Sequence, residues 1–123
     1  MARVLVVDDE AAARDLLREF LVTKGYEVTE AATGAEALQR LREERPHLVL
    51  LDINLPDISG LEVLREAKAT DPVVGVIMVT GLTEEEIGRQ AMRDGAFDYI
   101  TKPLDLPYLE KSLWYKITTM ELG

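Results

Sequence analysis

The chain has 123 residues and a formal net charge of −9, with 47% hydrophobic and 30% charged residues, no cysteine and one histidine. One domain with room for a proper core is the ordinary outcome at about 100–200 residues. The acidic balance argues against a nucleic-acid surface, which needs clustered Lys and Arg, and against adhesion to anionic membranes; the missing cysteines exclude disulfides, thiolate nucleophiles and zinc–thiolate centres.

Val4 to Val7 form a continuous apolar run that stops at two adjacent carboxylates, Asp8 and Asp9. Such a run reads as a buried strand. Leu16, Leu17, Phe20 and Leu21 come next at helical spacing, and Gly25 stands where the helix end needs a left-handed residue. YEVTEA, residues 26–31, alternates polar and apolar, as an edge strand partly facing water does. Thr33 and Glu36 have capping-box spacing ahead of a helix carrying Ala37, Leu38 and Leu41.

LVLLDI, residues 48–53, is the third strand, with His47 at its entry; a lone histidine cannot build a His-rich metal site. Ser59 and Glu62 cap the next helix, which carries Leu61, Val63 and Leu64. VGVIMV, residues 74–79, is the fourth strand, and Thr83 with Glu86 caps a helix near 84–94. That helix has Gly88 in its interior and little to bury beyond Ile87, Ala91 and Met92. Gly95 suits its end, and FDYI, residues 97–100, is a short fifth strand. Asp105 and Pro107 open a last helix. Its Leu106, Leu109, Leu113, Ile117 and Met120 are expected to face the sheet, and Tyr108, Tyr115 and Leu122 to form a second stripe toward solvent.

Strand and helix thus alternate five times. This predicts an α/β fold, a five-stranded parallel sheet doubly wound by helices on both faces, (βα)5. Ligands in such sheets bind beyond the carboxyl ends of the strands. Asp8 and Asp9 lie past the first strand, Asp52 and Asn54 past the third, Thr80 and Gly81 past the fourth, and Thr101, Lys102 and Pro103 past the fifth. Three carboxylates, a hydroxyl and an ammonium therefore meet at one edge. Carboxylates that close repel unless a cation joins them. Mg2+ suits hard oxygen donors that leave room for water and a phosphate oxygen. Each residue taken singly has a simpler role: an Asp pair can cap a helix, Asp52 can sit in a turn, Thr80 can cap and Lys102 can be a solvated charge. Four strand ends supplying complementary groups to one edge favour a site.

These segments resemble the receiver domain of bacterial two-component response regulators, over essentially the whole chain. The similarity is carried by VLVVDDE with Arg14, Leu17 and Leu21, by AATGAEAL, by PHLVLLDINLPDISGLEVL, by VIMVTG and by AFDYITKPL. The resemblance implies flavodoxin-like strand order 2-1-3-4-5 and a phosphorylation-activated signalling switch rather than an enzyme, although one that promotes its own phosphorylation and dephosphorylation. It makes Asp52 the phosphoacceptor. Asp8, Asp9 and Asp52, with the backbone carbonyl of Asn54, would hold Mg2+ or Mn2+. Thr80 would move onto the phosphoryl group, Lys102 would pair with it, Tyr99 would turn inward on activation, and the Lys102–Pro103 bond would be cis. Gly81 stands where the family often has alanine.

The partners so implied are a histidine kinase or phosphotransfer protein, and an effector domain or second receiver docking on the face of the fourth helix, fifth strand and fifth helix. A haloacid-dehalogenase-like phosphohydrolase fits less well, because its nucleophile sits on the first strand with a second Asp two residues on, whereas here Asn54 occupies that position after Asp52. A flavodoxin-like cofactor binder would need a Ser-, Thr- or Gly-rich loop where this chain has Asp8, Asp9 and Glu10. The expected organisation is a single receiver domain over 1–123 with no effector domain. No secretory signal or transmembrane-length apolar run is visible, so a cytoplasmic location is expected.

Overall fold

The computed structural model describes residues 2–81 and 85–120. In chain order the elements are β1 (Arg3–Val7), α1 (Ala11–Thr23), β2 (Glu27–Ala31), α2 (Gly34–Glu44), β3 (Leu48–Leu51), α3 (Gly60–Thr70), β4 (Gly75–Thr80), α4 (Glu85–Arg93), β5 (Asp98–Thr101) and α5 (Leu106–Thr119). The strands form one sheet in the order β2-β1-β3-β4-β5. All four pairings are parallel. The order reverses between β1 and β3, so a crevice opens beyond their carboxyl ends.

Successive strand residues point to opposite faces. Val4 and Val6 join Leu48, Leu50, Ile77 and Val79 against Leu17 and Leu21 of α1 and Leu109 and Leu113 of α5. Leu5 and Val7 join Val49, Leu51, Val76 and Met78 against Ala37 and Leu41 of α2, Val63 and Leu64 of α3 and Ala91 of α4. β1, β3 and β4 are covered on both faces, which is why they read as unbroken apolar runs. β2 lies at the edge, and its first four residues keep partial exposure.

Most of the sequence punctuation acts as its chemistry suggests. Thr33 Oγ1 accepts from the Glu36 N–H, while the Glu36 carboxylate reaches back to the Ala32 N–H rather than to that of Thr33. Ser59 Oγ accepts from Leu61, one position nearer than a capping box requires, and Asp105 accepts from Tyr108. Gly25 and Gly95 have φ of 91° and 104°. Thr83 and Leu122 lie outside the described residues.

Three expectations need correction. Leu16 is 53% exposed, because only Leu17 and Leu21 project fully onto the sheet and Phe20 packs at the margin. Met92 is 49% exposed, so Ala91, with partly buried Ile87, carries the apolar face of α4. The third strand ends at Leu51 rather than residue 53. The Asp52 N–H still bonds to the Val7 carbonyl, but the Ile53 carbonyl turns to accept from Leu55 and Gly60 and so closes the loop before α3. α2 ends on Arg45 in a left-handed conformation, φ 47°, with no glycine to announce it.

Candidate functional site

The buried carboxylates Asp8 and Asp52 stand past β1 and β3, neighbours in the sheet. Lys102 enters from the end of β5, where its N–H bonds to the Thr80 carbonyl. Its Nζ lies 2.8 Å from Asp8 Oδ2 and 3.1 Å from Asp52 Oδ2. The Asp8 and Asp52 side chains are 3% and 8% exposed and that of Lys102 is 25% exposed, so the ammonium sits at the mouth and the acids behind it. The second oxygen of each acid is held locally. Asp8 Oδ1 accepts from the Glu10 N–H at 2.9 Å, and Asp52 Oδ1 from the Asn54 N–H at 3.1 Å.

The electrostatics result from this arrangement. Burial acts to lower the Lys102 pKa, but its hydrogen bonds to Asp8 and Asp52, with their charges, prevail and raise it above the ordinary lysine value. Lys102 is therefore a fixed cation at any physiological pH. The cation that lets acids from β1 and β3 lie close is, in this state, a lysine.

Asp8 also belongs to a carboxylate group that could hold a metal. Asp8, Asp9 and Glu10 each present a carboxylate oxygen within 4.8 Å of the others, with Asp9 and Glu10 exposed. This all-oxygen, strongly anionic set fits a hard divalent cation with waters completing its shell. The trio includes Glu10, a residue that sequence reasoning misses although it completes the Asp-Asp-Glu run. It does not include Asp52, whose Oδ2 is turned to Lys102. Asn54 is exposed beside Asp52.

Thr80 is fully buried at the end of β4. Tyr99, on β5, is half-buried and packs against the core cluster under α4. A methyl placed on Gly88 would lie 3.6 Å from its ring, so Tyr99 lies directly beneath the α4 glycine. The Lys102–Pro103 peptide is cis. The structure thus brings Asp8, Asp9, Asp52, Asn54, Thr80 and Lys102 to one sheet edge, with Tyr99 shortly before Lys102 on β5. Arg14 has no role legible from its residue type alone. Its guanidinium donates to the Asp8 carbonyl at 2.6 Å and pairs with Glu30 at 3.2 Å, steadying the turn after β1.

Comparison with known proteins identifies the family of the chain. The family model described as "Response regulator receiver domain" matches residues 4–113. Chemotaxis protein CheY of Bacillus subtilis (strain 168) is 37% identical over 102 residues, covering 82% of this chain and 85% of that protein. Sporulation initiation phosphotransferase F of the same organism is 36% identical over 104 residues, covering 85% and 84%. Transcriptional regulatory protein ZraR of Escherichia coli (strain K12) is 36% identical over 110 residues, but the match spans 89% of this chain and only 25% of that protein. Among solved structures, a CheY-like receiver domain from Methanospirillum hungatei JF-1 superposes with a TM-score of 0.95 at 37% identity, covering 98% and 97% of the two chains. Family match and strand order agree, and the chain belongs to the response regulator receiver domain family, the phosphorylation-activated domains of two-component signalling.

Proposed function

We propose that Asp52 is the phosphoryl acceptor and that Lys102, Thr80 and Tyr99 convert its phosphorylation into a change of partner surface. The observation that supports this most is the Lys102 ammonium bridging the two buried carboxylates, Asp8 and Asp52. An Asp52 oxygen attacks the phosphorus of a phosphohistidine on a histidine kinase or phosphotransfer protein. The P–O bond forms as the P–N bond breaks, and the imidazole leaves with the electron pair and gains a proton. The attacking oxygen must release one of its donors. Release of Oδ2 frees the Lys102 ammonium and release of Oδ1 frees the Asn54 N–H, and either donor can then serve a phosphoryl oxygen. Asp8, Asp9, Asp52 and the Asn54 carbonyl would hold Mg2+, or Mn2+ in its place, and the ion would supply positive charge to offset carboxylate and phosphoryl. Water later attacks phosphorus and regenerates the Asp52 carboxylate, so the domain promotes its own phosphorylation and dephosphorylation.

Thr80 then moves toward a phosphoryl oxygen, Tyr99 fills the space vacated, and α4 shifts: two packings whose populations the new charge rebalances. The outward reader is the face of α4, β5 and α5. There Tyr108, Trp114 and Tyr115 are exposed, and the Phe97 and Tyr115 rings stack at 6.0 Å. An effector domain or second receiver would dock on it. No helix of the described residues is long and apolar enough to cross a membrane, and we place the domain in the cytoplasm. Incubation with acetyl phosphate and Mg2+, with intact-mass measurement afterwards, should add one phosphoryl group to wild type and none to Asp52→Asn. Labelling of Asp52→Asn at the wild-type rate would overturn the assignment.

A further inference from the structure

The loop after Asp52 is tied at its far side to a different element. Asp57 places Oδ1 2.8 Å from the Gly34 N–H and Oδ2 2.9 Å from the Ala35 N–H. These are the first two amides of α2, which have no intrahelical acceptor. Thr33 supplies only the third, through Glu36, so a residue 23 positions from Gly34 in the chain completes the cap. The loop lies so close to α2 that a side-chain carbon added at Gly34 would overlap Ile58. The two backbone donors, Ala35 first, hold the Asp57 pKa below the ordinary carboxylate value, so the anion is the form the cap retains.

The near end of the same loop carries the chemistry. Asn54 donates to Asp52 Oδ1, and the Ile53 carbonyl accepts from both Leu55 and Gly60. A side-chain carbon at Gly60 would overlap the Asp52 carbonyl, so the α3 start is packed on the acceptor's own backbone. Between these near-end bonds and α3, the Asp57 carboxylate is what bonds the loop to α2 among the described residues. We infer that Asp57 is a positioning residue for phosphorylation: by clamping the β3–α3 loop to the α2 N-terminus it holds the Asn54 carbonyl and the Asp52 carboxylate in register with Asp8 and Lys102. This rests on Asp52 being the acceptor and Asn54 a metal ligand.

The test compares wild type, Asp57→Ala, Asp57→Asn and Asp52→Asn. Three readouts are taken: the melting temperature, the rate of labelling at saturating acetyl phosphate, and the Mg2+ dissociation constant from amide chemical shifts. Loss of an outer-shell partner typically costs about 10–100-fold in metal affinity or activity. Asp57 acts through the intervening loop, so Asp57→Ala should slow labelling and weaken Mg2+ by about threefold to tenfold, below that range. Asp57→Asn should fall between Asp57→Ala and wild type, because its amide oxygen still accepts one N–H while its NH2 faces the other. A cap that merely stabilises α2 would lower the melting temperature and leave both other readouts at wild-type values; that result overturns the inference. If Asp57→Ala does not fold, Asp57→Asn decides alone, with wild-type labelling and Mg2+ affinity as the overturning result. Silent Asp52→Asn beside unchanged Asp57 variants removes the clamp and keeps the acceptor. Labelled Asp52→Asn removes both.

Discussion

Replacing Lys102 with methionine keeps the stem and deletes the ammonium, leaving Asp8 and Asp52 without the cation they share. Removing one partner of a buried ion pair costs about 3–5 kcal/mol, since the remaining charge is left unpaired away from water. Here Lys102 is 25% exposed and the site opens to solvent, so part of that penalty is recovered by hydration. About 2–3 kcal/mol is the expected loss, at the lower end of that range or below it. At about 2.1 cal/mol/K per residue, the unfolding entropy of a chain this size makes each kcal/mol worth about 4 °C, so the melting temperature should fall by about 8–12 °C. Thermal melts at neutral pH without divalent cation measure this directly. The same geometry supplies two controls. Adding Asp52→Asn to the variant should restore a substantial part of the loss, because one of the stranded charges goes with it. Mg2+ should also stabilise Lys102→Met by more than it stabilises wild type, since the metal then neutralises carboxylates that the lysine no longer serves. A Lys102→Met protein that melts at or above wild type, with the same Mg2+ increment, would refute the reasoning.

His47 is the one histidine of the chain, and its Nδ1 accepts the Arg3 N–H at 2.9 Å. Burial, with the nearby Arg3 charge, lowers its pKa below 6.5, so its stabilising contribution is complete above that value and is lost as pH falls from 6.5 toward the folded-state pKa. NMR should find a single imidazole titrating below 6.5. His47→Asn, which keeps an acceptor and cannot titrate, should flatten that part of the stability–pH curve; a wild-type slope in the variant refutes it. α4 should exchange its amides faster than the other four helices, and Gly88→Ala should slow that exchange and raise stability by about 0.5–1 kcal/mol, as the added methyl makes only ordinary contact with Tyr99. Loss of stability in Gly88→Ala would show that the glycine is needed for packing. Tyr115→Glu should take up phosphate normally but weaken self-association or effector binding in light scattering with a phosphate mimic present; unchanged association would move the interface away from the α5 stripe.

Much of the architecture could be read without coordinates, for a local reason. Val4–Val7, Leu48–Leu51 and Gly75–Thr80 are buried on both faces, so no charged residue interrupts them. Thr33, Ser59 and Asp105 cap helices within three residues of themselves. Gly25 and Gly95 answer a backbone demand that few other residues meet. The acidic edge was legible because strand ends of a parallel doubly wound sheet fall on one side, so the residues just past each strand come together as the candidate site.

Other features depend on contacts across the chain. Lys102 reads as a solvated charge or a phosphate partner until it is seen 94 residues from Asp8 in sequence and 2.8 Å away in space. Leu16 shares the helical spacing of Leu17 and Leu21, yet the seating of one helix on one sheet leaves it in water. Asp57 looks like an ordinary turn residue after Pro56, and nothing near it in sequence needs its carboxylate; the amides that do belong to α2. What the sequence determined by itself were the strands, the caps and the set of groups at the edge, because periodicity and capping act over a few residues. Which acid pairs with which cation, and which loop leans on which helix, was decided only in the tertiary structure, because hydrogen bonds and ion pairs depend on distances that local pattern does not encode.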